Sequence, residues 1–370
     1  MELALQTIAK NSRRVSLADI GRLAEVSVTT VSRVLSGQPG PSPSTRKTVL
    51  DAAGMLGYAP NAIARAMSTS HSQLIGIAVA DLEDPFFTEM LDGAQAQARS
   101  HGFHLLVASS RRDPRIERSL IDDFRGYRVE GMVLAGTPHR DLPAERAIAA
   151  SLAALDADGI PVVQVGVRRG PAPLLRIDFA GLAADATRHL LGLGHRRIGY
   201  ISDESPQEIR DLHRSGMTAA LNQAGIMPDS SLLVEWTNTE DPGPVLQLIE
   251  RGATAILGAD DLIAVAIFFA LRNLGLSIPS DISVMGMDGT QLPSQILQPA
   301  LSTVALPVKA MGEQAIEEIV RVINGGEPHY ATILPHQVVA RESTAPPQNP
   351  EGQLQLRHRQ LFAERGKSQI

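Results

Sequence analysis

The strongest constraint on the fold of this chain is an alternation of short apolar runs with segments of helical periodicity, which begins near Gln73. Apolar runs bounded by turn residues and separated by helix-like segments indicate parallel sheets covered on both faces by helices. The runs are LIGIAVA, FHLLVASS, GMVLAG, IPVVQVG, RIGYISD, LLVEW, AILGA and DISVMGM. Because they are too many for one sheet, the sequence predicts a core at 73–344 with two doubly wound α/β lobes, at 73–176 and 177–304. The later segments ALSTVALPVKAMGEQAIEEIVRVI and HQVVARES are expected to cross back and complete both lobes.

The region before this core has a different pattern, which predicts a small all-α domain of three short helices at 16–60. Only four residues, 24–27, separate the first two helices, and such a tight connection is typical of a helix-turn-helix. Residues 1–15 are expected to form a disordered lead, and 61–72 a short hinge helix followed by a linker. The predicted helix N-caps are Ser16, Ser27 and Ser44.

The second helix has a composition that needs an explanation, because EVSVTTVSRVL at 25–35 is rich in β-branched and hydroxyl residues. Such residues are mediocre helix formers. In a helix-turn-helix, however, the second helix lies in the major groove of DNA, and its N-terminal residues reach base edges. Val28 can meet a thymine methyl, and Arg33 can donate two parallel hydrogen bonds to guanine. The alternative is a solvated helix end whose threonines, Thr29 and Thr30, are incidental.

The charge distribution also separates the N-terminal domain from the core. Residues 1–72 carry a net charge of +4, whereas the whole chain carries −6. A basic module on an acidic body indicates a polyanionic partner for the module. The absence of cysteine excludes disulfides, thiolate metal sites and cysteine nucleophiles. No run of residues has the length and apolarity of a membrane span or signal peptide, so a cytoplasmic protein is expected.

Longer motifs give a specific family resemblance. VSLADIGRLAEVSVTTVSRVLSG and STRKTVLDAAGMLGYAPNAIARAM resemble the lactose-repressor/galactose-repressor (LacI/GalR) family of bacterial transcription regulators. The resemblance continues, in the family's order, through SQLIGIAVADLEDPFFTEMLDGAQAQARSHGFHLLVAS, RVEGMVLAG, LLGLGHRRIGYIS, SDISVMGMDG and LPHQVVARESTAPP. It covers roughly residues 16–345. The resemblance implies a homodimer whose two helix-turn-helix units read a near-palindromic double-stranded DNA operator.

The resemblance also implies roles for individual residues of the N-terminal region. The positions that read bases are Val28, Thr29 and Arg33. The positions that contact phosphates are Ser16, Thr30, Ser32, Ser36 and Tyr58. The hinge positions are Asn61, Ala62, Arg65 and Met67. The last of these is normally a leucine that wedges into the minor groove, and methionine is apolar and of similar volume.

The two predicted lobes resemble periplasmic sugar-binding proteins, which implies a small-molecule effector in the cleft between them. Ligands of such folds meet loops at the carboxyl ends of strands. The candidate effector contacts are Phe86, Phe87, Arg210, His213, Trp236, Asp260 and Asp288. Phe86 is equally consistent with the core, and Trp236 fits either a sugar platform or burial in the lobe.

The chain departs from the pattern of the sugar-binding members at two cleft positions. His213 replaces an arginine, and Gly166 replaces an acceptor aspartate that some members have. Arg210 or Arg214 is a candidate replacement for the missing guanidinium. Otherwise the effector is not a simple hexose, or the cleft does not bind a ligand.

Other classes of function are less consistent with the sequence. An enzyme is disfavoured because no Gly-x-Ser-x-Gly elbow, phosphate-binding loop or His-x-x-x-His pair is present. A sugar-type ligand-binding protein without a DNA role would not need the N-terminal helices, whereas a regulator controlled by a partner protein stays open. No cofactor, metal or membrane partner is predicted. His195 and Arg196 are interpreted as a connector, and 345–370 as a disordered tail.

Overall fold

A computed structural model describes residues 15–58, 71–136, 138–139, 141–167, 172–203, 207–291 and 296–348. The chain divides into two compact units, and the boundary between them in the sequence lies between Gln73 and Leu74. The first unit is called the headpiece and the second the core. The expected hinge residues Asn61, Ala62, Arg65 and Met67 lie outside the described residues, as does the expected lead as far as residue 14.

The described headpiece contains three helices, as predicted. They are α1 (Leu17–Leu23), α2 (Val28–Leu35) and α3 (Pro43–Met55). Their buried faces meet in a small apolar cluster of Ile20, Ala24, Val31, Val34, Val49, Ala52 and Ala53.

The predicted caps of the headpiece helices are confirmed for the first two helices and wrong for the third. Ser16 forms a capping box with Asp19 at the start of α1, and the Ser27 side chain accepts a hydrogen bond from the Thr30 amide. The cap of α3 is Ser42, not Ser44, because Pro43 occupies the first helical position. Proline is favoured there since its missing N–H would have no intrahelical partner.

The core consists of two parallel-rich sheets with helices between consecutive strands. The elements of the first lobe are β1 (Leu74–Val79), α4 (Pro85–Ser100), β2 (His104–Ser109), α5 (Pro114–Gly126), β3 (Gly131–Gly136), α6 (Leu142–Ala157), β4 (Val162–Gly166) and β5 (Leu174–Arg176). Those that follow are α7 (Phe179–Gly192), β6 (Ile198–Ser202), α8 (Gln207–Gln223), β7 (Leu233–Glu235), α9 (Gly243–Glu250), β8 (Ala255–Gly258), α10 (Asp261–Asn273), β9 (Ser283–Asp288) and β10 (Ser302–Ala305). The last described elements are α11 (Val308–Ile323), β11 (Thr332–Ile333) and β12 (Gln337–Val339).

The two sheets share one topology. Their strand orders are β11-β5-β4-β3-β1-β2 and β12-β10-β9-β8-β6-β7. All pairings are parallel except β10 with β12. The doubly wound fold predicted from the alternation of apolar runs and helices is therefore confirmed, including the change of lobe near 177.

The described chain crosses between the lobes more than once. It leaves the first sheet after β5, and after β10 it returns as α11, which packs on α4, β3 and β4 of the first lobe. It then adds β11 to the first sheet and β12 to the second. Gly93 on α4 and Gly312 on α11 allow this close helix packing, because a Cβ on either would overlap the backbone of the other helix.

The backbone of Ala345, one residue beyond the expected end of the core, contacts the second lobe. The Ala345 carbonyl accepts a hydrogen bond from the Ser283 hydroxyl and lies 2.9 Å from Nε2 of the buried His195. His195, whose Nδ1 lies 2.9 Å from the Thr254 hydroxyl, connects structural elements, as its interpretation predicted.

Candidate functional site

Helix α2 has one buried and one exposed face. Val31 and Val34 are buried against the other headpiece helices. On the opposite face Val28, Thr29, Ser32 and Arg33 are exposed, and Val28 leaves 48% of its surface open. An exposed valine beside hydroxyls and a guanidinium forms a surface that can combine apolar contact with hydrogen bonding.

The turn between α1 and α2 depends on two backbone features. Glu25 adopts a positive φ of 56°, in the left-handed region that glycine usually occupies. The amide of Val26 then donates a hydrogen bond to the carbonyl of Gly21 at 2.9 Å. A Cβ on Gly21 would lie 2.8 Å from the Val26 carbonyl oxygen, so glycine is needed where the turn returns to α1.

Several polar groups predicted to contact phosphates already have local hydrogen bonds. The Thr30 hydroxyl lies 2.8 Å from the Ser27 hydroxyl, and the Ser36 hydroxyl donates to the Ser32 carbonyl at 2.7 Å. The Ser16 hydroxyl donates to Asp19 at 2.7 Å. A hydroxyl is both a donor and an acceptor, so each keeps capacity for a further partner. Tyr58 is half-buried against the headpiece core.

The arginines of the headpiece have different roles. Arg46 donates to the carbonyls of Val34 and Gln38, where it supports the C-terminal end of α2. Arg22 pairs with Asp19 at 2.9 Å. Within the described part of the chain the Arg33 guanidinium has no hydrogen-bond or ion-pair partner, so it is available to an external acceptor.

A cavity lies between the two lobes. It is at the carboxyl ends of both sheets, which is the usual ligand position in open α/β folds. Its lining residues are Ala80, Asp84, Phe86, Phe87, Arg112, Gly136, Val165, Gly166, Ile177, Phe179, Ile209, His213, Ala259, Asp260 and Asp288.

The first lobe contributes a carboxylate and a guanidinium to the cavity. Asp84 caps α4 by accepting a hydrogen bond from the Phe86 amide at 2.9 Å. The Arg112 guanidinium lies 3.9 Å from the Asp84 carboxylate. Burial raises the pKa of Asp84, against the lowering effects of that amide and of Arg112. Phe86 and Phe87 form an edge-to-face pair with centroids 5.2 Å apart.

The second lobe contributes two further carboxylates. Asp260 caps α10 by accepting from the Ile263 amide at 2.7 Å, and burial raises its pKa to about 7. Burial and the neighbouring charges of Asp260 and Asp261 raise the pKa of Asp288 well above its usual range. Asp288 also adopts a positive φ of 96°. Strained residues of this kind are concentrated at functional sites.

His213 presents a neutral imidazole to the cavity. Its Nδ1 lies 2.9 Å from the hydroxyl of the buried Tyr200. Burial lowers the pKa of His213 to about 4 and raises that of Tyr200 above its usual value, so both groups are uncharged near pH 7. Among the side chains that the structure describes, the His213 Nε2 is the one buried nitrogen or oxygen without a hydrogen-bond partner.

Two family models match parts of this chain. Residues 16–61 match the family model described as bacterial regulatory proteins, lacI family, and 187–344 match a periplasmic binding protein-like domain. The transcriptional regulator GalS of Salmonella typhimurium is 31% identical over 314 residues, which cover 82% of this chain and 88% of that protein. Catabolite control protein A of Priestia megaterium is 29% identical over 338 residues, which cover 89% and 99%.

A solved structure of the lac repressor dimer bound to operator and the anti-inducer ONPF matches with a TM-score of 0.78 and 25% identity. The match covers 90% of this chain and all of that one (100%). The chain belongs to the lacI family of bacterial regulatory proteins. As a lacI-family member it is a DNA-binding regulator of transcription, and the relatives that it matches are transcriptional regulators, not enzymes.

Two of the predicted effector contacts of this lacI-family regulator do not line the cavity. Trp236 is 2% exposed in the core of the second lobe, where its Nε1 donates to the Asp241 carbonyl at 2.8 Å. Arg210 pairs with Glu235 at 2.6 Å. Arg214 lines a different surface. Arg210 and Arg214 are close to His213 in sequence, but side chains on a helix point in different directions, so neither arginine is among the described residues that line the cavity. The burial of Trp236 agrees with the second of the two interpretations given for it.

Among the charged and aromatic residues that line the lacI-family cavity, the sequence interpretation missed Asp84, Arg112 and Phe179. Arg112 follows β2, so the rule that selected loops at strand ends could have found it. Asp84 lies in the selected loop DLEDPFF, where its place before Pro85 marks it as a helix cap. The other predicted residues, Phe86, Phe87, His213, Asp260 and Asp288, line the cavity.

Neither a membrane-spanning helix nor a metal site is found among the described residues. The described helices lack the combination of length and apolar composition that a membrane span requires. No group of three or more metal-ligating side chains in the described part of the chain is arranged to hold a metal ion.

Proposed function

We propose that this lacI-family regulator is a cytoplasmic repressor that binds a near-palindromic operator as a homodimer and is controlled by a small molecule in the cavity between its lobes. The main support for the proposed DNA binding is the exposed face of α2, where Arg33 has no partner among the described residues. The lac repressor structure named above contains a dimer, an operator and a small ligand, which supports the same combination here.

The proposed base contacts are made from the N-terminal part and middle of α2. Val28 and Thr29 lie in its first turn, and Arg33 follows one turn later on the exposed face. The first turn of a recognition helix approaches base edges most closely. We therefore assign base contacts to Val28, Thr29 and Arg33.

Further proposed contacts to DNA come from the rim of the headpiece and from the hinge. The phosphate contacts assigned are Ser16, Thr30, Ser32, Ser36 and Tyr58. The hinge contacts assigned are Asn61, Ala62, Arg65 and Met67, with Met67 as the minor-groove wedge. Phosphate contacts release counterions, so operator affinity is expected to fall steeply as salt concentration rises.

The proposed control acts through closure of the lobes on a ligand. A ligand that fits one arrangement of the lobes favours that arrangement, because it can shift an equilibrium only by its differential affinity. A coupling of about 1–3 kcal/mol would change operator affinity about 5- to 150-fold.

The first experiment is selection of binding sites from a random duplex DNA pool with the full-length protein. The expected product is a palindrome with a central, easily opened base step. A parallel selection with Met67→Leu tests whether methionine weakens the hinge wedge. The proposed operator binding would be contradicted if neither the wild type nor Met67→Leu enriched any sequence at moderate salt, with or without candidate ligands.

A further inference from the structure

The charged side chains that line the cavity between the lobes are mostly acidic. Its described lining residues include three carboxylates, those of Asp84, Asp260 and Asp288, but only one guanidinium. That guanidinium, of Arg112, lies beside Asp84. Asp260 and Asp288 come from the other lobe, and the Asp203 carboxylate adds negative potential near both. Arg168 and Arg169 follow β4 and lie outside the described residues. The described surface therefore combines close like charges with little compensation, which is costly in a partly buried site.

His213 provides a second, independent indication of a ligand. Its imidazole is 2% exposed and lines the cavity, and its Nε2 has no hydrogen-bond partner among the described side chains. A buried polar atom without a partner costs about 1–3 kcal/mol, so its retention points to a partner that arrives from outside. Since Tyr200 occupies Nδ1, the neutral ring can offer Nε2 as a donor or an acceptor.

The aromatic side chains of the cavity add an apolar wall. Phe86 and Phe179 line it, and Phe179 packs edge-to-face on His213 with centroids 5.6 Å apart. An aromatic face attracts a cation and repels an anion, because the ring quadrupole is negative above its plane.

These groups distinguish a cationic ligand from a neutral one. A neutral polyol can donate hydroxyl hydrogen bonds to carboxylates, but it does not offset the cost of ionising Asp260 and Asp288 near each other, which raises the pKa of both. An ammonium group donates three hydrogen bonds and also neutralises one charge. A ligand with an anionic group would add to the repulsion.

We propose that the effector of this regulator is a small molecule with a protonated primary amine, held by Asp260 and Asp288 and contacted by the Nε2 of His213. This inference rests on the proposed function, since it names the ligand of the same cleft. An amino sugar and an aliphatic diamine both supply this chemistry.

The test is calorimetric titration of the full-length protein with glucosamine, N-acetylglucosamine, glucose and putrescine. Phosphate buffer is required because Tris is itself a primary amine. Glucosamine is expected to bind at least about tenfold more tightly than glucose or N-acetylglucosamine, since acetylation removes the charge and keeps the ring. Putrescine distinguishes the two sources: tighter binding than glucosamine identifies a linear amine.

Matched variants locate the binding group. Asp260→Asn and Asp288→Asn are each expected to weaken glucosamine binding at least about tenfold and to leave glucose binding within about twofold. Asparagine keeps the cap of α10 and tolerates a positive φ, so both variants preserve the local backbone. Asp123→Asn, at an exposed carboxylate on α5, is the control and should bind as the wild type does.

Three results would overturn the proposal. These are equal affinity for glucose and glucosamine, an amine preference that survives in both cavity variants, and flat titrations with both amines up to about 10 mM. Operator affinity measured with and without glucosamine is a separate readout. An amine that binds without changing operator affinity supports the ligand class and contradicts the allosteric part of the proposed function.

Discussion

Asp288 illustrates how single residues of this cavity oppose the stability of the fold. Its backbone has a positive φ of 96°, and its carboxylate is buried near other carboxylates. A non-glycine residue in such a conformation costs about 1–3 kcal/mol. The next residue, Gly289, also has a positive φ, and a Cβ there would overlap Ala305. The strand end is thus held in an unfavourable conformation that places a carboxylate in the cavity.

Replacement of Arg33 by alanine tests the role of the exposed face of α2. Loss of a bidentate contact to guanine is expected to reduce the free energy of operator binding by about 1–3 kcal/mol. It is also expected to relax specificity at one base pair in each half-site. Binding-site selection with Arg33→Ala measures both effects.

The matched control for this replacement is Arg22→Ala, since Arg22 is exposed on α1 and paired with Asp19. It is expected to leave the selected sequence unchanged. An unaltered consensus for Arg33→Ala as well would remove Arg33 from the reading surface.

The pKa of Asp260 predicts a pH dependence of stability. In the folded protein it is about 7, above the unfolded value near 4, so the folded state binds the proton more tightly. The stability contributed by Asp260 is therefore lost as pH rises from about 4 to about 7. Asp260→Asn removes this loss and keeps the cap of α10. The melting temperature of the ligand-free variant should exceed that of the wild type by about 2–4 °C more at pH 8 than at pH 5.

His213 has the opposite effect on the pH dependence of stability, because its pKa falls from 6.5 to about 4 on folding. The contribution of His213 to the stability of the folded state is therefore lost as pH falls through this range. It is present in both proteins, so it cancels in the comparison of Asp260→Asn with the wild type. Asp123→Asn, which removes an exposed carboxylate from α5, is the control for the loss of one carboxylate. A constant difference for Asp260→Asn would mean that Asp260 is not buried as described.

The sequence predicted single residues well where local rules decide their place. The capping serines Ser16 and Ser27 follow from the pattern of the chain, as do the strand-end residues Asp260 and Asp288. Trp236 could not be placed, because an indole satisfies its N–H equally well in a core or at a ligand. The direction of a side chain around a helix axis, as at Arg210, depends on tertiary packing that a loop motif does not encode.

At the scale of elements, the turn between α1 and α2 determines how the recognition helix is presented. The turn needs a close approach of Val26 to Gly21 and a left-handed residue at Glu25. Both features are backbone properties of one short segment. The headpiece can therefore vary the exposed face of α2 without altering the connection that orients it.

Two glycine replacements in the headpiece are expected to have opposite effects. Gly21→Ala would place a methyl group 2.8 Å from the Val26 carbonyl oxygen, so it is expected to destabilise the headpiece by about 1–3 kcal/mol. Gly54→Ala, in α3, meets nothing within 4 Å and is expected to stabilise it by about 0.5–1 kcal/mol. Amide hydrogen exchange of headpiece residues in the full-length protein measures both changes. Equal protection in the two variants would refute the proposed close approach.

Most strands of the core were predictable from the sequence. All eight apolar runs of the core contain a strand, and most of these strands are buried on both faces, which gives a strong sequence signal. The three-residue β5 and the two-residue β11 carry no such signal. They form because a sheet edge is available, which is a property of the assembled lobe. Ser44 was mistaken for a cap since serine also occurs at 42, and only the position of Pro43 distinguishes them.

At the scale of the whole molecule, the C-terminal part of the described chain stabilises both lobes. Helix α11 and β11 belong to the first lobe, whereas β12 and Ala345 belong to the second. A chain that ends at 348 is expected to keep the full-length melting temperature, because it retains Ala345 and the contacts of its backbone with Ser283 and His195. A chain that ends at 343 loses the acceptor of His195 and is expected to melt several degrees lower.

Thermal unfolding of both truncated chains, followed by circular dichroism, tests this boundary. The two chains differ by only five residues, so a general effect of shortening the protein would appear in both. Identical melting temperatures would show that the contacts of residue 345 do not contribute to stability.

The repeated crossing of the chain between the lobes restricts how such regulators can diversify. The headpiece is one continuous segment that ends near Gln73, so a single genetic exchange can replace it whole. Neither lobe is continuous, because strands and helices from distant parts of the gene complete each one. A new DNA specificity can thus be acquired as a block by recombination, whereas a new ligand specificity must accumulate by point substitutions around the cavity.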